Sequence, residues 1–306
     1  MKPMKDELAK VMDRRRLSDE YQAMMQQAVA DPDVQTFLRA SADQLAPDAV
    51  TRSAAKIYEF VTARDRLHAG TPLIAPGYAP QLVVSNRLID ITYVPTAEKL
   101  AQDAQADRAA LVTSINMPKA IVNAHLDGYD ATDRAAALNA AIQFTVAVAK
   151  APHDFHKGLY LTGPFGVGKT YLLGAIANDL ATRNVASTLV HFPTFAVEMK
   201  AAIGDKTVLP KLDRIKKAPV LMLDDIGAES LSPWIRDDVL GIILQYRMQE
   251  ELPTLFSSNK TMAELTEFLA GVDVGNNEGL KAQRIMERVR FLARELAIGG
   301  RDRRNG

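Results

Sequence analysis

The stretch GLYLTGPFGVGKT, residues 158–170, constrains this chain more than any other. A short apolar run of strand character enters a loop with glycine at 163, 166 and 168, and Lys169-Thr170 then open a segment with helical spacing. Gly163 to Thr170 fits G-x-x-x-x-G-K-[ST], and it lies between a predicted strand and a predicted helix, the context this pattern needs. Glycines let the backbone turn tightly and aim its N–H groups inward, and a following helix adds partial positive charge at its N-terminus. The run Gly163, Pro164, Phe165, Gly166, Val167, Gly168, Lys169, Thr170 and Tyr171 therefore reads as a cradle for the phosphates of ATP or ADP. Lys169 supplies a point charge for the β- and γ-phosphates, and the Thr170 hydroxyl offers a ligand to Mg²⁺.

Around this loop, residues 111–306 alternate strand and helix. A helix over Thr132 to Lys150 precedes GLYLT, and a helix over Lys169 to Asn184 follows it. A strand over Ser187 to Phe192, a helical region over Thr194 to Lys216 and the strand APVLMLDD come next. Pro233 to Glu250 reads as a helix with Ser232 as N-cap and Pro233 at its first position. The strand PTLFSSN and two terminal segments complete the pattern, which argues for an α/β fold with a parallel sheet covered on both faces. Val220 to Leu223 is an unbroken apolar run ending in Asp224 and Asp225. Twin acids at the tip of a buried strand are costly unless they face a cation or water. Asp224 is thus the candidate second Mg²⁺ contact, and Asp225 the candidate for polarising the attacking water. Asn259, at the end of a neighbouring strand, is positioned to hydrogen-bond the γ-phosphate and that water. In KAQRIMERVRFLARELA, Ile285, Val289, Leu292 and Leu296 make one apolar helical face, with Arg284 and Arg288 stacked beside it. Two readings stand open there: a solvated helix paired to Glu287 and Glu295, or an arginine presented to a neighbouring subunit's nucleotide.

The first third has a different texture. Asp6 to Arg16, Ser18 to Ala30, Asp33 to Ala40 and Pro47 to Arg64 read as helices, the last with Ile57, Phe60 and Val61 as its buried stripe. Arg14, Arg15 and Arg16 form a solvated face or meet an acidic partner. AGTPLIAPGYAP reads as loop, and QLVVSNRLIDITYVP as a β-hairpin turning around Ser85-Asn86. The polar stretch TAEKLAQDAQADRAA reads as a connector, so the division falls into residues 1–110 and 111–306. With 37 basic and 37 acidic residues, no whole-molecule attraction to nucleic acid exists, and any contact must use local patches. The absence of cysteine excludes disulfides, thiol nucleophiles and thiolate metal sites. Of the five histidines, His153 and His156 are spaced as a possible metal pair, but no carboxylate completes a ligand set, and they read as loop residues. No apolar run approaches the roughly 18 residues a membrane-spanning helix needs, and MKPMKDELAK lacks the hydrophobic core of an export signal, so a cytoplasmic location without membrane partners is expected.

Taken together, GLYLTGPFGVGKTYLLGAIANDLA, APVLMLDDIGAESLSPWIRDDVLG, LPTLFSSN and QRIMERVRFLA resemble the AAA+ ATPases of the bacterial initiator and helicase-loader clade, and YAPQLVVSNRLIDITY extends the resemblance into the first third. The resemblance implies an AAA+ P-loop NTPase domain after a small, mostly helical domain with a β-hairpin. It implies Walker A roles for Lys169 and Thr170, Walker B roles for Asp224 and Asp225, sensor 1 for Asn259, and an arginine finger at Arg288 with Arg284 one turn before it. It further implies a loader of a hexameric replicative helicase onto single-stranded DNA, self-association through the ATPase domain, and ATP turnover that is weak in isolation. Loaders of this kind lack a helical lid, which fits the short stretch after Leu296. Phe195 to Lys217 matches a helical insertion of the clade, making Lys200, Lys206 and Lys211 the DNA-contact candidates; a solvated face is the alternative. One departure stands out. Characterised members carry a cysteine-rich zinc site before the hairpin, whereas VTARDRLHAGTPLIAPGYAP offers only His68, so no zinc is expected. An ATPase helper of a DNA transposase shares the phosphate loop and the LDD strand, and a nucleotide-gated adaptor without meaningful turnover is a further alternative. A small-molecule kinase fits least.

Overall fold

The computed structural model describes residues 20–71, 75–228, 231–271 and 278–303. The chain divides into two compact units, residues 1–104 and 105–306. The expected helix over Asp6 to Arg16, with Arg14 to Arg16, lies outside the described residues. In the first unit a helix over 20–29 leads to α1 (Pro32–Ala40) and α2 (Ala54–His68), followed by β1 (Tyr78–Ser85) and β2 (Leu88–Pro95). Val34, Ile57, Phe60, Leu82 and Ile89 form its core. Instead of one helix over Pro47 to Arg64, a short turn (Ala49–Arg52) and α2 are separated at Ser53. The Ser53 hydroxyl accepts a hydrogen bond from the Ile89 N–H at 3.0 Å, so the break is where the helical layer is tied to the hairpin. The strand also begins at Tyr78, inside the segment read as loop, with Pro80 tolerated because this ribbon has no third strand. The turn is Asn86-Arg87, one residue later than read, and both residues have positive φ (51° and 63°), the backbone a two-residue hairpin requires.

The connector is a helix, α3 (Ala97–Ala110), and the division between units falls within it. The second unit holds β3 (Val112–Ile115), α4 (Ala135–Lys150), β4 (Gly158–Thr162), α5 (Lys169–Thr182), β5 (Ser187–His191), α6 (Phe192–Ala202), α7 (Val208–Lys216), β6 (Val220–Asp224), α8 (Gly241–Gln249), β7 (Thr254–Ser258), α9 (Met262–Ala270), α10 (Glu278–Leu292) and β8 (Ala293–Ala297). A wide π-helical turn, Ile235–Leu240, precedes α8, and Ser232 caps the start of this region by accepting from the Ile235 N–H. The six strands are all parallel, in the order β3-β5-β6-β7-β4-β8. Alternate strand residues point to opposite faces. Leu159, Leu161, Leu189, Met222 and Leu255 therefore pack under α4 and α5, while Tyr160, Val190, Leu221, Leu223 and Phe256 pack under α6 to α10. Three layers result, with every central strand buried on both sides, as apolar runs of this kind demand.

The region Thr194 to Lys216 is two helices, broken between Ala202 and Val208, where Lys206 takes a positive φ of 56°. KAQRIMERVRFLARELA is not one helix: α10 stops at Leu292, and Leu296 lies in β8, paired with Leu161 of β4. β3, which no pattern in the sequence announces, pairs with β5 and forms one edge of the sheet. Among the described residues no helix follows β8, and none is long and apolar enough to cross a membrane.

Candidate functional site

Parallel strands deliver their C-terminal ends to one edge of the sheet, and the crevice there is where α/β sheets place ligands. β4 ends in the glycine loop, β6 in Asp224 and Asp225, and β7, lying between them, leads directly to Asn259. Gly168 closes the loop with φ 92°, and a Cβ there would meet the Arg134 guanidinium at 2.7 Å, so both backbone and neighbour require glycine. α5 starts at the next residue and aims its N-terminus into a cavity of about 730 Å³.

The polar groups of this cavity are bonded to one another. Lys169 Nζ donates to the Gly163 and Pro164 carbonyls, each at 2.8 Å, and to Asn259 Oδ1 at 2.7 Å. Asn259 Nδ2 donates in turn to Asp225 Oδ1 at 3.2 Å. The Thr170 hydroxyl donates to the Asp224 carboxylate, 3.0 Å from each oxygen. Ser257 links the twin acids: its hydroxyl donates to Asp224 Oδ1 at 2.5 Å and accepts from the Asp225 N–H at 2.9 Å. Asp225 itself sits at φ 63°, a left-handed conformation Asp tolerates better than most residues. Burial pushes the Asp224 carboxyl above its ordinary range, opposed by the hydrogen bonds from Ser257 and Thr170, while the charge of Asp225 raises it further. A buried carboxylate raised in this way is one that a cation stabilises. The donor set suits Mg²⁺, a hard ion commonly held by one or two protein oxygens together with phosphate oxygens and water. Among the described residues no group of three or more His, Asp or Glu side chains could hold a metal without such help.

The cavity is also lined by residues that no motif announced: Pro118, Ala120, Tyr129, Asp130, Arg134 and Arg303. Asn178 on α5 donates to the Ile121 and Ala124 carbonyls at 3.0 and 2.8 Å, which anchors the rim loop. Tyr129 and Tyr171 stack with centroids 6.1 Å apart, and the Arg134 guanidinium lies 4.1 Å over the Tyr129 ring. His191 also lines the cavity, in register with Asp224 across β5 and β6.

The remaining sequence candidates lie elsewhere. Arg284 and Arg288 do not line the cavity; Arg288 Nη1 donates to the Gly241 carbonyl at 2.9 Å, and burial lowers its pKa, with Arg284 adding repulsion. Lys200, Lys206 and Lys211 are exposed, on α6, on the link to α7 and on α7.

A glycine-loop strand, an acid-tipped strand and a polar strand end meeting at one crevice of a parallel sheet define a P-loop ATP-binding protein of the AAA+ class. Two family models match the chain: "Primosomal protein DnaI N-terminus" over residues 1–93 and "IstB-like ATP binding protein" over residues 81–304. The replicative helicase loader DnaI of Bacillus subtilis (strain 168) is 36% identical over 312 residues, covering the whole of both chains. A crystal structure titled as that of DnaI matches at 48% identity with a TM-score of 0.57, covering 64% of this chain and 99% of that one. The DnaC helicase loader matches in fold, at 20% identity with a TM-score of 0.50, over 60% of this chain and all of that one. The chain belongs to the DnaI-like family of replicative helicase loaders.

Proposed function

We propose that this protein loads a hexameric replicative helicase onto single-stranded DNA, with ATP binding and hydrolysis as the switch. The observation that carries this reading is the meeting of Thr170 with Asp224 and of Lys169 with Asn259 and Asp225 at one crevice, in a chain whose two halves match a DnaI N-terminus and an ATP-binding domain. Lys169 is the charge for the phosphates, and Thr170 with Asp224 would hold Mg²⁺, which supplies charge neutralisation at the transferring phosphoryl group. Asp225, held by Asn259 and by the Ser257 hydroxyl, is the acceptor that orients the attacking water. Arg288, away from its own cavity, serves the nucleotide of a neighbouring subunit, with Arg284 beside it. Turnover is then slow in the isolated chain and rises on assembly. Residues 1–110 supply the helicase contact and residues 111–306 the ATPase, with Lys200, Lys206 and Lys211 toward single-stranded DNA. The DnaI-type N-terminal match favours this reading over a transposase helper, which shares only the ATPase half.

Lys169→Ala tests the site. Loss of charge-assisted hydrogen bonds worth about 1.5–3 kcal/mol corresponds to a roughly 10–100-fold weaker ATP affinity, measured by titration with a fluorescent nucleotide. The same variant is expected to co-purify with the helicase but not to load it, and wild-type turnover by the variant would remove Lys169 from the mechanism.

A further inference from the structure

Beyond the phosphate end, the second unit carries an arrangement that the motifs do not explain. After β8 the backbone continues past the phosphate loop. The Ile298 N–H donates to the Thr162 carbonyl at 2.7 Å, and the Arg303 N–H donates to the Gly166 carbonyl at 3.1 Å. Asp302 packs so closely on Gly166 that a Cβ there would lie 1.9 Å from its carboxylate. Position 166 is one of the unrestricted positions of the phosphate-loop pattern, so its glycine, at φ 77°, answers to the segment lying on it as well as to the loop's turn. The Arg303 side chain then reaches into the cavity and forms an ion pair with Asp130, holding that carboxyl well below its usual range.

Two donors at this end lack acceptors. Arg134 Nε and Arg303 Nε are buried without a hydrogen-bond partner. Arg134 is 4% exposed, and its two Nη groups are already committed, to the Val167 and Asp130 carbonyls. Each guanidinium thus carries a buried N–H whose desolvation is uncompensated. Both arginines and the stacked pair Tyr129 and Tyr171 line the same cavity as Lys169 and the twin acids, with Arg134 and Tyr129 lying against Gly168. With the phosphates held by the glycine loop and Lys169, these groups are the part of the cavity lining left for the sugar and base.

We propose that Arg303, with Arg134 behind it, binds the nucleoside half of the nucleotide, and that its ion pair with Asp130 latches the segment 298–303 over the bound ligand. This rests on the nucleotide reading above and assigns the part of the cavity that reading leaves unassigned. The ligand class is a nucleoside di- or triphosphate, recognised at its ribose and base acceptors by guanidinium donors and by an aromatic wall. The latch itself is partly exposed, and such pairs contribute little to folding, so removing it separates binding from stability.

The test is Arg303→Ala in the full chain, titrated with ADP and, separately, with inorganic tripolyphosphate. ADP affinity is expected to fall about tenfold and ADP release to quicken in proportion, while tripolyphosphate affinity stays within twofold and the melting temperature within about 1 °C. Unchanged ADP affinity overturns the proposal, and so does an equal loss for ADP and tripolyphosphate, which would place Arg303 on the phosphates. A wild-type chain that bound no nucleotide would overturn the nucleotide reading as well; wild-type binding with an indifferent Arg303→Ala overturns this assignment alone.

Discussion

Asp224 is 2% exposed, and its desolvation is met only in part by two hydroxyl donors. An acid whose pKa is raised by folding adds no penalty below its ordinary value of 3.8 and an increasing one as pH rises toward the folded value. At neutral pH the ligand-free site is therefore destabilised by its own carboxylate. Asp224→Asn, nearly the same shape without the charge, is expected to raise the melting temperature of the ligand-free protein by about 2–4 °C. It should also abolish the extra stabilisation that Mg²⁺ adds to ATP. Thermal unfolding with ATP, with and without Mg²⁺, reads both effects, and persistence of the Mg²⁺ increment would remove Asp224 as a ligand. That the glycine loop and the twin acids belong to one site is legible in the sequence, because each is a local pattern, whereas the bond from Lys169 to Asn259 is not. Nor is Ser257, since a serine two residues before an asparagine at a strand end looks like any polar terminus until β6 lies beside it. Arg134 and Arg303 were hidden for a further reason: they reach the cavity from segments far apart in sequence and share no period.

Between elements, the buried side chain of Arg247 joins three pieces of backbone. Its guanidinium donates to the Lys216 and Ala218 carbonyls, the Pro253 carbonyl and the Thr254 hydroxyl, at 2.7–2.9 Å. It thereby ties α8 to the end of α7 and to the starts of β6 and β7. Burial pushes its pKa down to about 9, and the fork of donors, rather than a carboxylate, keeps it satisfied. Arg247→Ala removes four hydrogen bonds at once, leaving the Pro253 carbonyl with only the Leu221 N–H, and is expected to cost about 3–5 kcal/mol, while Arg247→Lys recovers only part, because an ammonium cannot span the fork. Urea unfolding of both variants measures the difference, and equal stabilities would show that the fork geometry is irrelevant. β8 shows why part of the fold escaped the sequence reading. Ala293–Ala297 is rich in helix formers, but its pairing with the exposed edge of β4 outweighs a preference of a few tenths of a kcal/mol per residue. β3 escaped because four strand residues directly after a helix give too short a period to register.

Across the whole molecule, the absence of cysteine leaves the first unit to hold together without a covalent or thiolate staple. One polar link there is Arg64, which grips both oxygens of Asp31 at 2.6 and 2.7 Å and also reaches Asp33 and Asp65. Asp31 in turn caps α1 through the Asp33 and Val34 N–H groups. The Arg64 hydrogen bonds, chiefly, hold the Asp31 carboxyl below its ordinary 3.8, against the opposing effect of burial. A depressed acid contributes stability that is fully present above 3.8 and lost as pH falls through the folded value. Arg64→Ala is therefore expected to destabilise this unit by about 2–3 kcal/mol at pH 7 and to flatten its acid transition below about pH 4. Hydrogen exchange of the α1 and α2 amides against pH follows both, and an unchanged acid profile would exclude the pair as the determinant.

The order of the sheet has a consequence for synthesis. β4, which carries the phosphate loop, pairs only with β7 and β8, and both leave the ribosome long after it. Until residue 258 has emerged, the loop hangs from a strand with neither neighbour, and the asparagine that orients its lysine is missing. A nascent or interrupted chain thus displays the nucleotide signature without being able to grip a nucleotide, and competence waits for β7 and β8 to emerge.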